Sequence, residues 1–293
     1  MTKGKEAWSH FWQAEPKAAS GATLANLPAP VQALLDAPWR DLARALPSKT
    51  KLLDLATGGG IVLSLLQQSR RDLHLVGVDA AAQLPVRPGM KLRGGISTES
   101  LPFADESFGA VTSRFGIEYG PLDAGAAEAA RVLAPAGLLC LVIHHADSKV
   151  LQHNQLRKAA LHWAAFESGW IEKALAVVRA RRSFRMPTPA ALRDDARDAA
   201  QRFSGQAAAW EFLTGLTQLL DAGADEAAIR ALAKKADGEL ARIDMLAAAA
   251  CDAVRLAKLT ASFTEKGVTI DPPAVVREPA GAPLAWHVQG RKA

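Results

Sequence analysis

The sequence predicts an α/β protein in which a mostly parallel sheet is covered by helices on both faces. Between residues 50 and 147, apolar runs of strand length alternate with segments of helical length. This alternation is typical of βαβ units, whose crossover helices cover both faces of the sheet. A second observation is that the strand signal stops near residue 148, where a long helical stretch begins.

Taken in chain order, residues 1–49 are predicted to form an N-terminal helical segment, with helices over 5–14 and 31–46. A helix at 61–68 then separates the first two strands, because an apolar run follows a glycine-rich turn there. Seven segments are predicted to be strands: 51–55, 73–79, 90–94, 108–113, 138–143, 268–270 and 284–288.

The stretch 148–238 is predicted to be helical throughout, and a further helix is expected over 239–266. Apolar side chains along 239–266 recur every three or four residues, which indicates one buried helical stripe. Caps and breakers divide the stretch before it into helices at 150–182, 189–204, 206–221 and 225–237.

Composition and charge favour a globular protein of the cytoplasm. Of the 293 residues, 49% are hydrophobic and 22% are charged, and the net charge is +5. The basic excess is dispersed, apart from a short run at 179–185, so nucleic-acid binding is not favoured. No apolar leader follows Met1, and the longest uncharged apolar stretch, 132–143, is too short to cross a bilayer. Cys140 and Cys251 lie in apolar surroundings and are expected to be reduced core residues.

The segment with the clearest chemical signal runs from Asp54 to Gly60, where a buried strand leads into Thr57-Gly58-Gly59-Gly60. Glycines allow a sharp turn and a close approach of a ligand to the main chain. A second predicted strand ends at Asp79, about 20 residues further on, where a carboxylate can accept both ribose hydroxyls. The pattern predicts a nucleoside site, although a strand–helix corner without a ligand has the same local sequence.

Further motifs make the chain resemble the class I S-adenosylmethionine-dependent methyltransferases. The turn at 54–60 is similar to the family's acid–GxGxG segment, with Ala56 in place of the first glycine. The stretch 101–108, Leu-Pro-Phe-Ala-Asp-Glu-Ser-Phe, resembles the family's LPF motif, with Gly109 in place of the usual aspartate. Residues 128–139 resemble its helix, R-V-L-x-P-G-G turn and fifth strand. The resemblance covers about 50–147 closely and 239–293 more loosely.

The resemblance implies a seven-stranded Rossmann-like sheet that binds S-adenosyl-L-methionine and releases S-adenosyl-L-homocysteine. Ser97 stands where the family often has an aspartate near the adenine, so its hydroxyl or backbone carbonyls would hold the adenine amino group. The implied cofactor-binding residues are Asp54, Ala56, Thr57, Gly58, Gly60, Asp79, Ala80, Ser97, Thr98 and Arg114.

The same resemblance places the acceptor beyond the ends of the fourth and fifth strands. His145 is the first candidate for a catalytic base and His144 the second; the alternative is a core histidine with an exposed neighbour. Glu118 and Tyr119 are expected to line the pocket, and Arg114 to pair with the carboxylate of the cofactor. No metal is expected, because His144, His145, Asp147 and His153 match no standard zinc spacing.

The predicted function is therefore methyl transfer to a small-molecule acceptor, by a single domain spanning 1–293 with its core at about 50–147 and 239–293. The insertion 148–238 would act as a lid over the acceptor side. The alternatives are an RNA or protein methyltransferase, and a non-catalytic interaction module that keeps the cofactor fold. The sequence indicates neither the acceptor atom nor the oligomeric state.

Overall fold

A computed structural model describes residues 28–181 and 187–293, which divide into two compact units. The described part of the first unit comprises residues 28–151 and 245–293, and the second unit is Gln152–Asp244. The helix predicted over 5–14 lies outside the described residues. So does the end of the basic run, 182–185.

The first unit contains an eight-stranded sheet with the strand order β3-β2-β1-β4-β5-β8-β6, and β7 pairs with β8. Strands β1 to β5 are parallel, and β8 is antiparallel to β5. The strands are β1 Lys51–Leu55, β2 His74–Val78, β3 Met90–Arg93, β4 Phe108–Arg114, β5 Leu133–His144, β6 Val268–Ile270, β7 Ala274–Arg277 and β8 Pro283–Lys292.

The predicted fold class is confirmed, with one strand more than expected. Strands β6 and β7 both pair with the edge of β8 that faces away from β5, one after the other along its length. The eight strands therefore occupy seven positions across the sheet. The unpredicted strand, β7, spans only four residues directly after Pro272 and Pro273. A short edge strand next to prolines has little sequence signal.

Helices cover both faces of the sheet, as predicted. The helices are α1 Ala29–Ala45, α2 Ile61–Ser69, α3 Leu122–Val132, α4 Lys149–His162, α5 Trp170–Ala180, α6 Ala190–Arg202, α7 Ala208–Asp221, α8 Glu226–Ala249 and α9 Ala253–Glu265. Side chains of α1 and α2 share one core with Leu52 and Leu75. Side chains of α3 and α9 share the other core with Leu53 and Val76. Alternate residues of buried strands thus fill opposite cores, as the strand period of two requires.

The second unit is helical and has its own core, which includes Leu175, Leu192, Leu213 and Leu216. The helix predicted over 150–182 is interrupted by a π turn, Trp163–Glu167, and by Gly169 at φ +73°. Only a residue that tolerates the left-handed region fits this break.

The helical breaks in the region 225–266 differ from those predicted. Helix α8 continues through Gly238, whereas the chain breaks between Ala249 and Ala253. Asp252 caps α9 by accepting a hydrogen bond from the Arg255 N–H at 2.7 Å, and the Cys251 N–H donates to the His144 carbonyl at 2.8 Å. Apolar residues continue to recur every three or four positions across this break, so the sequence pattern over 239–266 does not indicate it.

Both cysteines are buried free thiols, as predicted. Burial raises the pKa of the Cys251 thiol to about 11. None of the helices within residues 28–181 and 187–293 combines the length and apolarity that a membrane crossing needs.

Candidate functional site

The glycine-rich turn after β1 is built from left-handed backbone. Ala56, Gly58 and Gly60 have φ values of +50°, +50° and +78°, and Gly60 is the N-cap of α2. An L-residue in this region costs about 1–2 kcal/mol compared with its right-handed conformation. Ala56, which stands in place of the family's first glycine, therefore adopts a conformation that glycine would adopt without strain.

Close contacts from neighbouring strands enclose this turn. A Cβ atom added at Gly116, just after β4, would lie 2.5 Å from the Ala56 Cβ. A Cβ at Gly77 in β2 would lie 2.6 Å from the Thr57 Oγ1. Both distances are shorter than van der Waals contact, so glycine is required at these two positions for the turn to fit between β2 and β4.

Asp79, directly after β2, contacts the turn through hydrogen bonds. Its Oδ2 accepts the Gly58 N–H at 2.9 Å, and its Oδ1 accepts the Ala81 N–H at 2.8 Å. Burial raises the pKa of Asp79, and the two backbone N–H groups oppose this rise. Since a carboxylate oxygen has two lone pairs, each oxygen can still accept one hydroxyl.

Asp54 lies in the interior beneath the turn. Its carboxylate accepts hydrogen bonds from the hydroxyls of Thr57 at 2.7 Å and Thr112 at 2.8 Å. Burial raises the pKa of Asp54 to about 7. The Thr57 hydroxyl is thus used within the protein. Thr112, on β4, was not predicted as a site residue, because only the strand pairing brings it to Asp54.

Arg114, the last residue of β4, is a buried cation with unused donors. Its Nη1 donates to the Asp36 Oδ1 at 2.9 Å, and its side chain is only 2% exposed. Its Nε and Nη2 are buried without a hydrogen-bond partner in the described part of the chain. Burial lowers the pKa of Arg114, while the nearby carboxylates of Asp36 and Asp54 raise it. Unpartnered guanidinium N–H groups match a carboxylate ligand in charge and geometry.

The segment after β3 returns to Asp79 through backbone hydrogen bonds. The Ile96 N–H donates to the Asp79 carbonyl at 2.9 Å, and the Gly95 N–H donates to the Ala81 carbonyl at the same distance. Ala80, Ser97 and Thr98 are all partly exposed beside this contact. The backbone therefore brings these three predicted cofactor-binding residues to the edge that Asp79 occupies.

At the ends of β4 and β5, Glu118 and His144 form a buried pair. The Glu118 Oε1 lies 2.9 Å from the His144 Nδ1 and also accepts the His144 N–H at 3.0 Å. The rings of Phe115 and Tyr119 flank the imidazole, with centroids at 4.1 and 5.8 Å. The Glu118 Oε2 is buried without a partner among the described residues. Glu118 was expected only to line the pocket, and its pairing depends on a contact that sequence spacing does not reveal.

His145 has different surroundings. Its ring stacks on Trp286 with a centroid distance of 4.5 Å, and its Nδ1 accepts the Asp147 N–H at 3.0 Å. Burial lowers the pKa of His145, which favours the neutral form. Since Nδ1 is the acceptor, the proton of the neutral ring lies on Nε2.

Within the described residues, no three His, Cys, Asp or Glu side chains converge to form a metal site. His153, one of the four residues considered for zinc, contacts Gln206 in the helical unit. Its Nδ1 lies 2.9 Å from the amide nitrogen of Gln206.

Residues 53–141 match a methyltransferase domain family. A ubiquinone/menaquinone biosynthesis C-methyltransferase from Brucella anthropi is 35% identical over 131 residues, which are 39% of this chain and 50% of that protein. The corresponding protein from Bartonella tribocorum is 37% identical over 107 residues, covering 32% of this chain and 41% of the relative. The chain thus spans about half the length of these curated relatives or less.

A solved structure of an S-adenosylmethionine-dependent methyltransferase from Thermotoga maritima aligns with 99% of this chain and 100% of its own. The identity is 12% and the TM-score is 0.46.

Proposed function

Because residues 53–141 form a class I S-adenosylmethionine-dependent methyltransferase domain, we propose that the protein binds this cofactor at the carboxyl ends of β1, β2 and β4 and transfers its methyl group to a small molecule. Bound cofactor supplies a methyl carbon on a positively charged sulfur. The chain's part is to hold the acceptor atom close to that carbon and in line with it, which supplies much of the rate enhancement.

The observation that carries the cofactor proposal is the set of unused polar groups around the turn. Asp79 retains free lone pairs for the two ribose hydroxyls, and the Nε and Nη2 of Arg114 are, within the described residues, unpartnered donors for the amino-acid carboxylate. In this proposal Ala80, Ser97 and Thr98 contact the adenine. Gly58 and Gly60 allow the ligand to approach the backbone. The residues present therefore fit the cofactor in charge and in hydrogen-bonding capacity.

Two arginines of the basic run lie within the described residues, and their contacts favour a small acceptor over RNA. Arg179 pairs with Glu226 at 3.1 Å, and Arg181 donates to the Leu220 carbonyl. Arginines held by internal partners contribute little to a phosphate-binding surface. The relatives named above carry biosynthetic methyltransferase names, which also supports a small acceptor. Their carbon specificity is not transferred, because the matched domain ends at residue 141, before His144 and His145.

The proposal is tested by incubating the protein with methyl-labelled S-adenosylmethionine and a cell extract that is then separated into protein, RNA and small-molecule fractions. We expect the label in the small-molecule fraction. Label in RNA or protein would contradict the acceptor class. Failure of the protein to bind S-adenosylhomocysteine in calorimetry would support a non-catalytic module.

A further inference from the structure

We propose that Glu118 and His144 form a general-base pair and that the acceptor is a phenolic or enolic hydroxyl, which is methylated on oxygen. This inference rests on the proposed function, since it describes the acceptor side of the same site. It reverses the order of the two histidine candidates and gives Glu118 a positioning role.

The hydrogen bond between Glu118 and His144 determines which imidazole nitrogen is free. The Glu118 Oε1 already accepts the backbone N–H of His144, so the contact with Nδ1 at 2.9 Å is a second hydrogen bond that it accepts, and Nδ1 carries the proton. The neutral ring then has its lone pair on Nε2. No hydrogen bond to Nε2 is present among the described residues, so this nitrogen can accept a proton from a ligand.

The ring orientation is also fixed. Phe115 and Tyr119 flank the imidazole, and Oε1 of Glu118 accepts both Nδ1–H and the backbone N–H of His144. Side chains that are locked by packing and by supporting hydrogen bonds meet the geometric demand of a catalytic base. The aromatic side chains beside the ring also suit a flat acceptor.

A second histidine–glutamate pair shows what a surface pair looks like. His162 and Glu167, in the helical unit, have the same Nδ1–Oε1 distance of 2.9 Å, but their side chains are 48% and 57% exposed. Those of His144 and Glu118 are 6% and 0% exposed. Exposed ion pairs contribute little to folding stability, whereas a buried carboxylate without a partner lowers that stability strongly. The two pairs therefore share the Nδ1–Oε1 distance and differ in burial.

His145 does not fit the role of base. Its Nδ1 lone pair already accepts the Asp147 N–H, so its Nε2 carries the proton. Adjacent strand residues point to opposite faces, and His145 is the one that stacks on Trp286.

The proposed step is a direct transfer of the methyl group from sulfur to oxygen. The hydroxyl proton moves to the His144 Nε2, and an oxygen lone pair forms the new bond to the methyl carbon. The carbon–sulfur bond breaks, and its electron pair stays on the sulfur. The products are a methyl ether, S-adenosylhomocysteine and an imidazolium, which Glu118 stabilises and which then releases its proton to water. A neutral amine can attack with its own lone pair, so a hydroxyl is the acceptor that needs this base.

The test compares His144→Gln and Glu118→Gln with the matched surface variants His162→Gln and Glu167→Gln. Methyl transfer is measured with catechol, 4-hydroxybenzoate and their aniline counterparts, and with a dinitrophenol that is already ionised at the assay pH. Calorimetry with S-adenosylhomocysteine is run on every variant, and ¹⁵N NMR identifies the protonated nitrogen of His144.

We expect His144→Gln to lower turnover of the un-ionised phenols by about 10²–10⁴-fold and to change turnover of the ionised phenol much less. Glu118→Gln should give an intermediate loss, and the surface variants none. Cofactor affinity should stay the same in all four, and NMR should show the Nδ1–H form in the wild type.

The proposal is overturned by label in the anilines or on carbon, by no transfer to any hydroxyl probe, by equal losses for ionised and un-ionised phenols, or by an Nε2–H form of His144. Absence of cofactor binding in the wild type would instead contradict the proposed function.

Discussion

The carboxyl edge of the sheet has two halves that are built in different ways. At the ends of β1 and β2, backbone groups dominate: left-handed residues at 56, 58 and 60 form the turn, and Asp79 is held by two backbone N–H groups. At the ends of β4 and β5, side chains dominate, because Glu118 and His144 come from separate segments and pair through their functional groups.

This difference explains why the first half can be predicted from the sequence more readily than the second. The half at the ends of β1 and β2 is formed by the backbone, which needs glycines at fixed local spacing and an acid at the end of the next strand. The half at the ends of β4 and β5 is formed by a side-chain contact between Glu118 and His144, which are 26 positions apart. Many residue types can occupy those two positions. The comparison predicts that the two halves can be disturbed separately.

The largest separate effect is expected from removing the helical unit, which we propose is needed for turnover but not for cofactor binding. Leu151 packs with Leu246 and Ala250, so residues 152–244 can be replaced by a short glycine–serine linker. S-adenosylhomocysteine affinity should be retained in calorimetry, while methyl transfer is lost. A folded shortened chain that no longer binds cofactor would show that the two functions are not separable.

Arg114→Gln should weaken S-adenosylhomocysteine binding by about 1.5–3 kcal/mol, roughly 10- to 150-fold, because hydrogen bonds to a charged group are lost. The matched ligand is methylthioadenosine, which has no carboxylate and should bind the variant and the wild type equally. Calorimetry with both ligands measures the difference. An equal loss for both ligands would contradict the proposed partner of Arg114.

Gly116→Ala should lower the free energy of unfolding by about 1–3 kcal/mol, the usual range for overpacking. The added Cβ would lie 2.5 Å from the Ala56 Cβ, so Ala56→Gly in the same chain should recover part of the loss. Urea unfolding of the two single variants and the double variant gives the coupling. Strictly additive effects would mean that this contact does not enclose the turn.

Counted per pH unit, the smallest effect, at most about 1.4 kcal/mol, concerns Asp54. Burial raises its pKa from the ordinary value of 3.8 to about 7, so the folded state binds the proton more tightly than the unfolded chain does. Stability should therefore fall as pH rises from about 4 to 7. Asp54→Asn should flatten that part of the profile when Tm is measured at each pH. Parallel profiles for the variant and the wild type would contradict the burial of an unfavourable charge at Asp54.

Local signals in the sequence predicted most of the sheet and identified the residues of the proposed cofactor half of the site. The turn at 54–60 and Asp79 were identified because strand, glycines and acid follow each other at short range. Two features were not predicted because they lack such signals. Strand β7 is short and follows two prolines, and the spacing of apolar residues does not change at the break before Asp252.

The acceptor half was predicted only in outline, as a set of residues near the ends of two strands. The pairing of His144 with Glu118 depends on tertiary contacts and on strand register. The same holds on the cofactor side for the pairs Arg114–Asp36 and Asp54–Thr112. Register can slip by one residue in a sequence-based prediction, and that single step separates His144 from His145.

The central claim is that Asp79 and the glycine turn bind the nucleoside of the cofactor. Calorimetry with S-adenosylhomocysteine on the wild type, Asp79→Ala and the surface control Asp221→Ala tests it most directly, after Tm measurements establish that each protein is folded. We expect Asp79→Ala to weaken binding by about 1–3 kcal/mol, roughly 5- to 150-fold, because ribose hydroxyls lose a charged partner, and the control to bind as the wild type does. Equal affinities for Asp79→Ala and the wild type would contradict the claim.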